Sequence, residues 1–136
     1  MKYINIIILL TTLLNVAHAA DIQVNIKGIE ENEGEIRVSL FSSVIKDAFP
    51  VPSNDIQQTV KANTDGVSLK FTNVSAGEYA ISVLHDKNNN NEMDTIIGIP
   101  SEPYGNSGEY TSFKPDYDES KFIVTDKSII IEIEVH

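Results

Sequence analysis

The sequence predicts an all-β fold, a single antiparallel β-sandwich of about seven strands closed over one apolar core and carrying one long ordered loop. Three observations predict it. Seven short stretches carry strand signals, and in five of them, 22–26, 36–40, 67–71, 79–85 and 129–135, apolar and polar residues alternate with a period of two, the pattern of strands with a buried face. Turn-forming Gly, Asn, Asp and Pro separate those stretches. Almost no stretch beyond residue 20 repeats its apolar residues with helical spacing, so packed sheets are what remains to bury them.

At the N-terminus Lys2 precedes an apolar run from Ile4 to Leu14 and the ending Ala17-His18-Ala19. This is the layout of a secretory signal peptide over residues 1–19, cut after Ala19. The run is too short to span a bilayer, so residues 20–136 are expected as one exported domain, periplasmic or secreted, with no membrane span. Cys is absent, which excludes a lipid anchor on Cys and leaves packing, and a bound ion, to stabilise the domain.

Ile22, Val24 and Ile26 alternate with Gln23, Asn25 and Lys27, and Ile36, Val38 and Leu40 alternate with Arg37 and Ser39. The charged connection from Glu30 to Gly34 reads as the turn of a hairpin between them. Val44, Ile45, Ala48 and Phe49 suit a short helical turn that Pro50 and Pro52 stop, expected to carry the chain from one sheet to the other. A weaker edge strand runs from Ile56 to Ala62, and the Asp65-Gly66 turn leads to alternating Val67, Leu69 and Phe71. Tyr79, Ile81, Val83 and His85 then mark the central strand. A long connection, 95–118, follows; its isoleucines and aromatic residues predict that it packs, because loops of this length are functional or disordered. The stretches 122–125 and 129–135 read as a closing pair, with Ile129, Ile131, Ile133 and Val135 inward. The arrangement suits an immunoglobulin-like or transthyretin-like sandwich.

The chemistry concentrates just after the central strand. Asp86, Asn88, Asn90, Glu92 and Asp94 stand at positions 1, 3, 5, 7 and 9 of an oxygen-rich loop, a spacing that lets a curled backbone aim side-chain oxygens, and the Glu92 carbonyl, at one hard cation. Calcium is the expected ion. Asn91 takes position 6, where tolerance of left-handed backbone matters. Position 12 is Ile97 rather than a bidentate Glu and strands flank the loop, so a helical calcium hand is excluded. Another carboxylate must close the shell: Glu102 is the first candidate, then Asp116 and Asp118. Against this stands an Asn-rich structural turn.

The formal net charge of −10 becomes −11 once Lys2 leaves with the signal. That disfavours nucleic acid and anionic membranes and favours cations. No nucleophile motif or oxyanion loop accompanies His85, Asp86 and Glu102, so the chain is not expected to be an enzyme. With only His85 and His136 left after processing and no Cys, zinc is poorly provided for. A second reading takes Tyr104, Tyr110 and Phe113 as a ligand surface for a saccharide or for a periplasmic or extracellular protein, with the acidic loop as scaffold only.

Three segments together carry a family resemblance: the strand entry Phe71 to Ala80 with its Gly77-Glu-Tyr79, the loop His85-Asp86-Lys-Asn88-Asn-Asn90 closing on Asp94, and the return Gly98-Ile99-Pro100-Ser-Glu102-Pro-Tyr104-Gly105. The chain resembles the exported bacterial family called domain of unknown function 2141 over nearly all of residues 20–136. It departs from that pattern at Asn91 and Pro103, where the family shows Gly. The resemblance implies a secreted or periplasmic β-sandwich and no established activity.

Overall fold

The computed structural model describes residues 17–51 and 56–136. Most of the expected signal peptide, residues 1–16, lies outside them. Among the described residues ten strands and two short helical turns follow one another: β1 (Ala19–Lys27), β2 (Glu35–Ser42), a 3-10 turn (Ser43–Ala48), β3 (Gln57–Lys61), β4 (Val67–Ser75), β5 (Gly77–Asp86), β6 (Thr95–Ile96), β7 (Ile99–Pro100), β8 (Tyr104–Asn106), α1 (Tyr117–Ser120), β9 (Phe122–Val124) and β10 (Ile129–Glu134). All seven expected strands are present. Among the described residues no helix is long and apolar enough to cross a membrane.

Two sheets form the sandwich. One has the order β10-β1-β4, and the other β3-β2-β5, with β8 and β9 both lying along the far edge of β5. Ile22, Val24 and Ile26 of β1 meet Ile36, Val38 and Leu40 of β2 and Ile81 and Val83 of β5 in one core that Phe71, Val124, Ile133 and Val135 complete. Alternation put these residues on one face of each strand, and apolar burial of about 25 cal/mol per Å² drives the faces together.

Several expected pairings are corrected. β1 and β2 form no hairpin; they lie in opposite sheets and face each other across the core, so the 28–34 connection crosses between layers. Conversely, the 43–56 segment does not cross, since β3 returns antiparallel beside β2 in the same sheet. β9 and β10 likewise separate, β9 pairing with β5 and β10 with β1. The β1–β10 ladder is parallel, the one parallel pairing among these strands. In each case alternation fixes which face is buried but not which strand lies alongside.

β5 is buried from Ala80 to Asp86 because both its faces are covered. Behind it Phe41, Phe49, Ala80 and Tyr117 form a second cluster, with edge-to-face rings at 5.2 Å and 6.0 Å. The 95–118 connection is half packed. Tyr104 and Tyr117 are buried, whereas Ile96, Ile97, Ile99 and Phe113 face solvent, contrary to the expectation that the whole segment packs.

Candidate functional site

The last residue of β5 anchors the acidic loop. Asp86 is fully buried on the face of β5 turned away from the main core, and Arg37, one strand over on β2, donates its Nε–H to Asp86 Oδ2 at 2.6 Å. Arg37 also reaches Glu35 at 2.9 Å. Past Asp86 the chain curls through a series of side-chain-to-backbone bonds. Asp86 accepts the N–H groups of Asn90 at 3.1 Å and Asn91 at 2.9 Å, Asn88 Oδ1 accepts Asn90 N–H at 3.1 Å, and Asn90 Oδ1 accepts Glu92 N–H at 3.0 Å. Asn89 and Asn91 take left-handed backbone at φ +59 and +67, which Asn tolerates better than other side chains.

The far side of the loop is held differently. Asp94 receives the side-chain amides of Asn88 at 2.6 Å and Asn90 at 2.8 Å. Glu102, buried, accepts Lys87 N–H at 2.9 Å through one oxygen and Asp94 N–H at 3.1 Å through the other, stapling the start of the loop to its end. The structure therefore brings Asp86, Asn88, Asn90, Asp94 and Glu102 into one bonded unit. Glu92 takes part through its backbone only, and Asp116 caps α1 by accepting Asp118 N–H at 2.8 Å.

Electrostatics divide the unit. Burial opposes ionisation of Asp86, but the Arg37 hydrogen bond and the Asn91 and Asn90 N–H groups outweigh it and hold the carboxyl below its ordinary range. Arg37 was not expected here. It is the chain's sole arginine, and its place as a polar residue inside an alternating strand was the available signal. Asp94 and Glu102 have no cationic partner among the described residues, because Lys87 turns to Glu31 at 3.1 Å. Nor, among the described residues, do three or more His, Cys, Asp or Glu side chains converge as a metal cluster. The donor set is two carboxylates and amide oxygens around a curled backbone, with Asp86 already neutralised. Such a set fits a weakly held oxygen-seeking cation better than a transition metal.

The connection before β2 closes over this end of the sandwich. Gly34 has φ +75, and a Cβ there would come within 2.2 Å of the Asp86 carbonyl oxygen, so only Gly permits the approach. His85 points to the core side of β5, where Nε2 donates to the Glu33 carbonyl at 2.7 Å and Nδ1 has no partner among the described residues.

The three aromatic candidates separate. Tyr104 is buried and donates its hydroxyl to the Thr111 carbonyl at 2.6 Å. Tyr110, half exposed, lies 5.9 Å from the Tyr104 ring and 4.3 Å from His136. The stack borders an open groove of about 270 Å³ lined by Lys27, Asn106, Tyr110, Glu134 and His136. Phe113 stands outside it, 81% exposed.

A family model described as "Uncharacterized protein conserved in bacteria (DUF2141)" matches residues 24–132, from within β1 to within β10. No curated protein and no solved structure matches the chain.

Proposed function

The chain belongs to that uncharacterised bacterial family, and from this premise we propose that it is an exported, non-enzymatic β-sandwich module that binds calcium at the 86–94 loop. The observation that carries this reading is Glu102. A buried carboxylate is ordinarily paired with a cation or coordinates one, and among the described residues Glu102 has only two backbone N–H groups while Asp94, bonded to it through the backbone, also lacks a counter-charge. Asp86, Asn88, Asn90, Asp94 and Glu102 would hold the ion, with Glu92 offering its carbonyl. The ion's contribution would be charge neutralisation between Asp94 and Glu102. The non-enzymatic part draws on His85, which is buried on the core side of β5 while Asp86 occupies the other face.

Thermal unfolding of the protein in chelator, in 10 mM calcium and in 10 mM magnesium tests the proposal. Extracellular modules hold calcium at about 10⁻⁴–10⁻³ M, so 10 mM should add about 1.4–2.7 kcal/mol, seen as a rise of several degrees. Magnesium should add less. Equal midpoints in chelator and calcium would reduce the loop to a hydrogen-bonded turn.

A second reading rests on the Tyr110–His136 stack beside its groove: a small saccharide or peptide group could lie on the exposed face of Tyr110. Calorimetric titration with a saccharide panel, comparing the native chain with Tyr110→Ala in chelator, separates this reading from the calcium site.

A further inference from the structure

Thr95 to Pro100 stands apart from the rest of the long connection. Among the described residues β6 and β7 pair only with each other, Thr95 opposite Pro100 and Ile96 opposite Ile99, leaving Ile97 and Gly98 as the tip. Ser101 N–H donates to the Asp94 carbonyl at 2.8 Å and fixes the hairpin's base against the acidic loop. The six residues Thr-Ile-Ile-Gly-Ile-Pro carry no charge. Ile96, Ile97 and Ile99 are 68%, 97% and 67% exposed. Ile97 also sits at φ +52, a left-handed conformation that suits Asn or Gly and strains a β-branched side chain. Solvent exposure and backbone strain thus fall on the same residue, and with 97% of its surface exposed Ile97 gains little packing among the described residues to offset either cost. Gly98, at φ +77, obeys the rule that Ile97 breaks.

We infer that this hairpin tip is an anchor that inserts into an uncharged, zwitterionic lipid surface. Size and charge choose that occupant. A six-residue tip falls well short of the roughly 20–30 residues a side that a stable protein interface engages, whereas the headgroup boundary of a bilayer accepts an apolar element without a matching surface. A second copy would bring the same acids together, on a chain of net charge −10 with Glu92 and Asp94 just before the tip. Anionic headgroups would meet the same repulsion, and zwitterionic ones do not. The inference does not depend on calcium.

The test is flotation of the full chain with phosphatidylcholine vesicles in chelator, beside its Ile97→Asn and Ile97→Gly variants. Comparing variants in one background cancels what the apolar N-terminal stretch contributes. The native chain should partition about tenfold or more better than either variant, from loss of one buried isoleucine, while both variants unfold at higher urea because the strain is relieved. Adding phosphatidylglycerol at low salt should weaken binding by the native chain. Equal partitioning of native and variant chains would overturn the proposal, as would binding that strengthens with phosphatidylglycerol. Self-association in sedimentation equilibrium that Ile97→Asn abolishes would assign the tip to a second copy and overturn it equally.

Discussion

The two ends of the 86–94 loop carry the same chemical group in opposite circumstances. At the strand end, Asp86 is buried against Arg37 and two backbone N–H groups, and every part of its charge is answered within the protein. At the return end, Asp94 is met by two neutral amides and Glu102 by two backbone N–H groups, and no cation stands near either among the described residues. The difference separates the work of folding the loop from the capacity to take an ion. A carboxylate that shapes the backbone need not be the one that recruits a metal, even when sequence spacing places both in one series.

The largest expected effect comes from the satisfied end. Asp86→Ala leaves Arg37, whose side chain is 11% exposed, with Glu35 alone and uncaps two N–H groups. Removing one partner of a buried pair costs about 3–5 kcal/mol, and urea unfolding should show that loss in chelator and a larger one in calcium, where the variant also forfeits what the ion adds to the native chain. The same end sets the acid response. The folded Asp86 carboxyl lies below its unfolded value, so its contribution is present above the unfolded pKa, about 3.9, and is lost as pH falls through the folded one. Unfolding midpoints should hold steady down to about pH 5 and decline below about pH 4, with a shallower decline in Asp86→Asn. A decline equally steep in that variant would place the acid-sensitive group elsewhere.

An intermediate effect belongs to Glu102→Gln. The amide keeps one acceptor oxygen but turns an NH₂ group toward the N–H of Lys87 or of Asp94, leaving one buried donor unanswered. That costs about 1–3 kcal/mol in chelator, and the variant should also lose the calcium-dependent rise. Loss of stability with the calcium rise intact would confine Glu102 to stapling the loop.

What the sequence revealed follows the same division. Apolar stretches bounded by turn residues located all seven expected strands, and period-two alternation gave the buried faces of five, because such a face is a local property of the pleat. The hairpin expected between residues 22–26 and 36–40 failed because both strands bury one face, and nothing in either stretch says whether they share a sheet or oppose each other. The spacing from Asp86 to Asp94 was legible, and Glu102 was singled out from its place in the return segment. Arg37 was not: its partnership with Asp86 spans 49 residues and depends on the β2–β5 register of Glu35 with Asp86 and Arg37 with Leu84. The isoleucines at 96, 97 and 99 read as packing residues because hydrophobicity alone does not distinguish a buried side chain from one left in solvent.

The smallest expected effect sharpens the comparison most. Asp94→Ala removes acceptors only from Asn88 and Asn90, whose amides are exposed and can turn to water, while the Asp94 N–H bond to Glu102 is backbone and survives. In chelator the change should lie within about 0.5 kcal/mol of the native chain, as for surface substitutions generally. Its sign is informative. Removing one of two uncompensated carboxylates relieves repulsion, so the variant should become relatively more stable at low ionic strength, and the advantage should shrink in 1 M salt, where screening acts over about 3 Å. In 10 mM calcium the order should reverse, because the native chain gains from the ion and the variant does not. An Asp94→Ala variant that is less stable by the same margin in chelator, calcium and high salt would mean that Asp94 serves the loop as Asp86 does, through its hydrogen bonds alone.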